Sequence, residues 1–393
     1  MRAIKARIAK NSSATTDQLT EELIVDSMRI AIGGLTFPGH DAMSLGPRHP
    51  TSAGLISLAL DSDAGSVVRA EVTSGYGHRG AEKLFEVRDY RSMIMLGDRH
   101  DWLSAFGGEL SLTLTLENSM RLATPPRAAI LRTLLAEMAR IHSHLSFLSY
   151  LAPEGELHAR LWSGVEAIRG RFLAWTGNRV HPMLNRVGGL ATDAPEGWLD
   201  TLDDLLDDIA RLSADLRAVL DRTDRFSGLA VLDEEACLGY GLTGPVARAA
   251  GFDPDRRADG YLAYGELFRP VHVRTSGDAE ARLGVLIDEV GTSVDMIRVT
   301  VSLAAQTTGE VNIKLSRRLR VPEGEHSTDV EAPWGIASCL MTSRGNPTPW
   351  RVALRTPSFA NVSALGKALE GVSTQQIPDV VASLGYTIGD LDK

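Results

Sequence analysis

Residues 202–220 read LDDLLDDIARLSADLRAVL, where Leu202, Leu205, Ile209, Leu212, Leu216 and Val219 recur at steps of 3, 4, 3, 4 and 3. That is a heptad seam, so the segment, opened by Pro195, is a helix lying along another helix for much of its length. Asp203, Asp204, Asp207 and Asp208 fall off the seam near the helix start. The macrodipole favours negative charge there, and they read as a solvated face rather than a metal site. Working outward, PPRAAILRTLLAEMARIHSHL at 125–145 is also helical: Thr124 can cap it, Pro125-Pro126 suits a first turn, and Leu131, Leu134, Leu135, Met138, Leu145 and Leu148 keep helical spacing. Further helices are expected over 160–176 and 278–305, with a glycine-rich break at 239–245.

The flanks read differently. Leu55–Leu60 and Val67–Val72 are short apolar runs around Asp61-Ser62-Asp63-Ala64-Gly65, the pattern of a β-hairpin. Residues 350–355 alternate as a strand. Between Thr20 and Ile32 there are apolar positions without a period, so 1–45 is expected to be a partly ordered arm. Leu110, Leu112, Leu114 and Leu116 alternate with Ser or Thr, which fits a strand, but Leu103, Phe106, Leu110 and Leu114 also fit a helix. The expected class is α+β, with an arm at 1–45, a small β-rich domain at 46–100, a helical bundle at 101–305 and a mixed C-terminal part at 306–393.

The 393 residues exceed one ordinary core. Lys and Arg number 41 against 50 Asp and Glu, a net charge of −9, which argues against a nucleic-acid partner. Cys237 and Cys339 are the only cysteines, so this chain alone cannot hold a four-thiolate iron–sulfur cluster or a thiolate-rich zinc site. No apolar run reaches the ~20 residues that span a bilayer, and Met1–Lys10 lacks the apolar core of a signal peptide. Any work at a membrane is therefore expected from outside the lipid. GxSxG, HExxH, Walker and strand–GxGxxG–helix signatures are missing. His142 and His144 stand two apart on a helix and face differently, so they read as one packed and one exposed histidine, not a zinc pair.

Three stretches place Arg and His among Gly and Pro: Gly46-Pro47-Arg48-His49-Pro50, Gly77-His78-Arg79-Gly80, and Arg179-x-His181-Pro182 followed by Arg186. Singly, each reads as a turn with a hydrogen-bonded histidine. Together they suit the surroundings of an electron-transfer centre held by a neighbouring chain. Such a centre gains negative charge on reduction, nearby Arg and His raise its potential, and an adjacent histidine gains proton affinity.

These residues carry a family resemblance. The chain resembles the large quinone-site subunit of NADH:quinone oxidoreductase (the D subunit of bacterial respiratory complex I), itself related to nickel–iron hydrogenase large subunits. The matching stretches are GPRHP at 46–50, GYGHRGAEKL at 75–84, GDRHDW at 97–102, the 125–145 segment, NRVHPMLNRVGG at 178–189, GLTGPVARAAG at 241–251, VEAPWG at 330–335, RTPSFANVSAL at 355–365 and IGDLDK at 388–393. The resemblance implies the same order of β-rich domain, helical bundle and mixed C-terminal part, and it makes 110–116 helical. The hydrogenase cysteine pairs are replaced by GYGHRG and SLGYTIGD, which excludes a nickel–iron site.

By resemblance, electrons reach quinone from a [4Fe-4S] cluster in an iron–sulfur partner subunit, in a peripheral arm on the cytoplasmic side of the cell membrane. Other complex I subunits, including those of the membrane arm, are the further partners implied. Arg79 matches the arginine near that cluster and His181 the histidine whose protonation is linked to its reduction; His78 and Arg186 belong to the same cluster-facing surface. His49 matches the first histidine of the quinone loop. Ala53 stands where the family has the second, Trp102 where it has the headgroup tyrosine, and Leu151 where it has an acid. Trp offers only an N–H that does not titrate and Ala offers nothing, so the quinone site has been rebuilt or retired as a unit. The function implied is electron transfer to quinone coupled to proton translocation. The alternative is a structural subunit of a paralogous, hydrogenase-like or complex I-like assembly that does not reduce quinone.

Overall fold

Residues 26–33, 41–43, 45, 49–51, 55–252, 254–270 and 273–393 are described by the computed structural model. Strands β1 (Asp26–Gly33), β2 (Asp41–Met43), β3 (Leu55–Asp63) and β4 (Ser66–Thr73) form a sheet in the order β2-β1-β3-β4. The β3–β4 hairpin turns through Ala64 and Gly65, both at positive φ, as a two-residue hairpin loop requires. β1 pairs antiparallel with β3 along its whole length, Met28 opposite Leu60 and Ile32 opposite Ile56. The expected arm at 1–45 is thus corrected at 26–33, which is an interior strand of the sheet. Ile30, Ala31 and Ile32 are all buried, so no alternation marks the strand in sequence. The expected β-rich domain at 46–100 also holds two helices, α1 (Ala81–Glu86) and α2 (Tyr90–Gly97).

The bundle is built from α3 (Ala105–Ser119), α4 (Pro126–Leu148), α5 (Glu156–Thr176) and α6 (Leu202–Leu220). After the short α7 (Glu234–Tyr240), α8 (Gly244–Ala249) and α9 (Tyr264–Leu267), α10 (Ala279–Gln306) runs about 42 Å at 1.5 Å per residue. It packs against both α4 and α6. Leu202, Leu205, Ile209, Leu212 and Leu216 of α6 are buried as the seam requires, and the four aspartates off it are exposed. Two details differ. The helix begins at Leu202, not near Pro195, and Leu220 replaces Val219 as the last buried position, because a 3.6-residue helix drifts from a 3.5-residue repeat. In α4, Pro125 rather than Thr124 occupies the cap.

Residues 110–116 are helical, and every one is buried. Their polar members do not need water: Ser111 donates to Gly108 O (3.1 Å), Thr113 to Glu109 O (2.8 Å) and Thr115 to Ser111 O (2.8 Å). α3 crosses α2 where Gly97 meets Gly108, so closely that a Cβ on Gly108 would lie 2.2 Å from Gly97 O. β5 (Asn185–Arg186) and β6 (Gly189–Leu190) pair as a short ladder. The C-terminal part carries the antiparallel sheet β7 (Gly324–Ala332), β8 (Gly335–Ser343) and β9 (Arg351–Arg355), then α11 (Pro357–Ser363), α12 (Leu365–Leu369), α13 (Ile377–Leu384) and α14 (Ile388–Leu391).

An ionic network ties the bundle to this sheet. Arg248 on α8 reaches Glu289 of α10 and Glu331 of β7 (both 2.5 Å) and Asp255 (2.9 Å). Arg257 joins Asp255 (2.7 Å) to Glu137 of α4 (3.2 Å), and Arg140 joins Glu137 (3.3 Å) to the carbonyls of Glu331 (2.8 Å) and Ala332 (3.1 Å). His144 bonds Glu289 at 2.8 Å, and both His142 and His144 are buried. That corrects the expectation of one exposed histidine: α10 and α5 cover both helix faces. Burial pushes the Glu289 carboxyl up, but Arg248, His144 and Arg140 outweigh it and hold the group well below the usual carboxylate range. Glu289→Gln is expected to cost about 3–5 kcal/mol of unfolding free energy, as removal of one member of a buried ion pair does, measured by urea denaturation. A cost under about 1 kcal/mol would show that the network does not hold these elements together.

Candidate functional site

The last residues of the chain thread between the 75–80 loop and the 98–102 segment. Asp392 accepts hydrogen bonds from the backbone N–H of Gly75 (2.7 Å) and Gly77 (2.6 Å). A Cβ on Gly77 would lie 3.0 Å from the same carboxylate, so the glycine permits the close approach. His78 bonds through Nδ1 to Asp392 O at 3.2 Å and also to Lys393 O. Arg79 donates to Arg99 O at 2.7 Å. His78 and Arg79 are therefore exposed but held from behind.

His181 comes to the same face. Its Nδ1 lies 3.6 Å from Oδ2 of buried Asp98, whose Oδ1 takes a 2.5 Å ion pair from Arg99. Burial raises the Asp98 carboxyl against the pull of Arg99 and His181. Arg99 also reaches Met183 Sδ at 3.7 Å, linking the 98–102 and 181–186 segments. The latter is clamped from α3. Glu109 accepts from Leu184 N (3.0 Å) and Asn185 N (2.9 Å), and burial, with Asp98 adding repulsion, lifts its carboxyl to about 7. Glu117 and Arg132 pair at 2.8 and 2.9 Å; Arg132 donates on to Arg186 O and Gly189 O, and Glu117 accepts from Gly188 N. Arg186 folds onto the carbonyls of Met183 and Asn185 (both 2.8 Å).

Trp102 lies beside this face, its ring packed on Gly389, where a Cβ would come within 2.5 Å of it. It is 37% exposed and borders a cavity of about 20 Å³ shared with Phe106, His142, Arg169, Phe172 and Arg179. That volume holds about one water. His142 donates through Nδ1 to Leu103 O (2.8 Å) and accepts at Nε2 from Arg169 (2.9 Å), which makes it the neutral tautomer. Burial and the Arg169 charge push its pKa down to about 4.

His49 sits elsewhere. Its Nδ1 accepts from Thr51 N (3.2 Å) and its Nε2 donates to Pro378 O (3.0 Å), while its ring meets Tyr150 edge-on at 5.0 Å. Burial lowers its pKa to about 4. With both ring nitrogens engaged inside the chain, His49 in this arrangement offers no hydrogen bond to a ligand. A separate cleft of about 680 Å³ is lined by Tyr150, Leu151, Glu154, Val219, Arg225 and Phe226 among others. Ala53 and the 46–48 part of its loop lie outside the described residues.

The structure thus brings His78, Arg79, His181 and Trp102 to neighbouring segments, clamps Arg186 beside them, and sets His49 apart. Sequence reading missed Asp98, Glu109, Glu117, Arg132 and Asp392, the acids and the arginine that hold these segments. Glu117 and Arg132 are 15 positions apart on different helices, a spacing with no local signature. Asp98 and Asp392 lie within stretches already singled out.

The family model described as "Respiratory-chain NADH dehydrogenase, 49 Kd subunit" matches residues 161–318 and 311–393. The chain is 41% identical over 390 residues to the second NADH-quinone oxidoreductase D subunit of Salinispora arenicola, covering 96% of this chain and 100% of that protein. This chain belongs to that family. It is also 38% identical to the first such D subunit of Streptomyces coelicolor (93% of this chain, 98% of that protein) and 30% identical to the D subunit of Deinococcus radiodurans (90% and 96%). The mixed fold, with a β-sheet near each end and a helical middle, is the one expected of a 49 kDa subunit. No helix among the described residues is long and apolar enough to cross a membrane.

Asp392→Ala removes two charge-assisted hydrogen bonds, each worth about 1.5–3 kcal/mol. Tryptic cleavage after Arg79 is expected to accelerate at least tenfold while the bundle stays intact. Unchanged cleavage would mean that the loop does not depend on Asp392.

Proposed function

We propose that this 49 kDa-family chain works in the peripheral arm of a proton-translocating NADH:quinone oxidoreductase, on the cytoplasmic side of the cell membrane, where it helps pass electrons to quinone. The observation that carries the reading is the face formed by His78, Arg79 and His181, with Asp98 and Arg99 behind it. Cys237 and Cys339 are both buried in the chain, so the donor set here suits the surroundings of a cluster rather than its ligation. The cluster belongs to the iron–sulfur partner subunit and, when present, supplies electrons one at a time. Towards it Arg79 places a fixed positive charge that favours the reduced form. By the family match His181 is the histidine whose protonation is linked to reduction of that cluster, and its Nδ1 faces the Asp98 carboxyl at 3.6 Å. Trp102 offers a quinone substrate an apolar face, and its N–H can donate a hydrogen bond but no proton.

A second reading is favoured by two observations. The cavity beside Trp102 has room for about one water, and His49 spends both ring nitrogens internally. Under it, the chain keeps the cluster-facing surface as a structural subunit of a paralogous assembly and does not reduce quinone.

The intact complex, purified through a tag on this chain, separates the two. Electron transfer from NADH to a short-chain quinone supports the first; transfer to ferricyanide alone supports the second. In a redox titration of that complex, His181→Ala is expected to shift the partner cluster's midpoint potential and remove its pH dependence. A titration curve indistinguishable from wild type would take His181 out of the mechanism.

A further inference from the structure

Beneath Trp102 lies a buried titratable set that the electron-transfer step does not use. His100 is 7% exposed, and among the described residues neither of its ring nitrogens has a hydrogen-bond partner. Its Nδ1 faces Oδ1 of Asp390 at 3.9 Å. That is too long for a hydrogen bond, and closing it to one needs a shift of about 1 Å. Asp390 is 2% exposed and accepts a hydrogen bond from Ser358 N at 3.2 Å. Asp101, 4% exposed, caps Ser104 N at 3.2 Å and repels Asp390.

The other charged groups facing this set are few. Arg79 from the 75–80 loop and Lys393 from the chain's last residue both act on His100, and Arg355 from β9 and Lys393 act on Asp390. Lys393 itself donates to Leu354 O and lies 3.8 Å from Glu82, so it is partly neutralised. Two carboxyl groups that repel one another in a dry site cannot both ionise without cost, and one proton is the cheapest remedy. Burial, with Asp101 adding repulsion, lifts Asp390 to about 7, and burial lifts Asp101 to about 6. Burial and the Arg79 and Lys393 charges lower His100 to about 4, leaving a neutral imidazole with an open lone pair beside a protonated acid.

This set touches the candidate acceptor face directly. Asp101 precedes Trp102, and Gly389, next to Asp390, packs on both the Trp102 ring and His100 O. The one-water cavity borders Trp102, Leu103 and Ala105, the residues that follow Asp101.

We propose that His100, Asp101 and Asp390 form a proton-donating site that holds one shared proton and delivers it to the acceptor reduced beside Trp102. The inference rests on the reading that this acceptor is a quinone. Two electrons come from the partner's iron–sulfur centre. One proton leaves the carboxyl O–H, whose electron pair stays on the new carboxylate, and forms the O–H bond on a quinone oxygen. The second proton comes from water, and the carboxylate is reprotonated from solvent. The site thereby supplies what Trp102 and Ala53 cannot.

The test uses the intact complex carrying wild type, Asp390→Asn, Asp390→Glu or Asp101→Asn in this chain. Infrared spectra, wild type minus Asp390→Asn, are expected to contain a carboxylic-acid C=O band near neutral pH that fades as pH rises. Quinone reductase activity should fall about a hundredfold in Asp390→Asn, the scale of a lost general acid. The wild-type rate should decline as pH rises through about 7, because a donor acid empties above its pKa, and that decline should flatten in the variant. Asp390→Glu should restore most of the rate, and Asp101→Asn serves if Asp390→Asn does not assemble. Absence of the acid band overturns the proposal, as does an Asp390→Asn complex with the wild-type rate and pH profile. A wild-type complex that reduces ferricyanide but no quinone overturns the underlying reading instead, and it does so without any variant.

Discussion

Everything else in the molecule leans on one buried arrangement, the guanidinium of Arg248 held between Glu289, Glu331 and Asp255. It is fully buried, so each partner is needed to offset the cost of taking its charge out of water. Those partners come from the long helix α10, from β7, and from the loop after α8. Through Arg257, Glu137 and Arg140 the same network reaches α4. Four carboxylates face three guanidiniums there, and burial raises Glu331 towards neutrality as the fourth. A charged lattice of this kind is directional, and it sets the bundle against the C-terminal sheet in one orientation where apolar packing alone would accept several.

That orientation makes the site possible. The C-terminal part must lie against α3 and α4 for its last residues to pass beneath the 75–80 loop. Asp392 then meets two glycine N–H groups, Gly389 meets Trp102, and Asp390 meets His100. The 75–80 loop, which carries His78 and Arg79, is thus positioned by residues more than 300 positions away in sequence. α3 contributes the second support, where Glu109 and Glu117 grip the segment that carries His181 and Arg186.

The residues to which the resemblance drew attention fall into two groups in the structure. His78, Arg79 and His181 share one face, backed by Asp392, Arg99 and Asp98, and Trp102 stands beside it on Gly389. His49 is present but turned to Thr51 and Pro378. On our proposal the electron-receiving side lies on the face of His78, Arg79 and His181, and the proton chemistry lies with the buried acids behind Trp102.

How much of this was legible beforehand differs from element to element. The heptad of α6, the β3–β4 hairpin and the helical 125–145 segment follow from local periodicity, which one amphipathic face imposes whatever packs on it. The stretches that carry the resemblance drew attention to His78, Arg79, His181 and Trp102, which the structure brings to neighbouring segments. Other features left no periodic trace. β1 has water on neither face of its buried end, and α3 has none over its buried length, so burial erased the alternation that would have marked them. The sequence by itself determined the family and the α+β order. Only the tertiary structure decided that His142 and His144 are both buried, that His49 is engaged elsewhere, and that His100, Asp101 and Asp390 meet. Those facts depend on contacts between segments far apart in the chain, and local patterns of side chains carry no record of such distances.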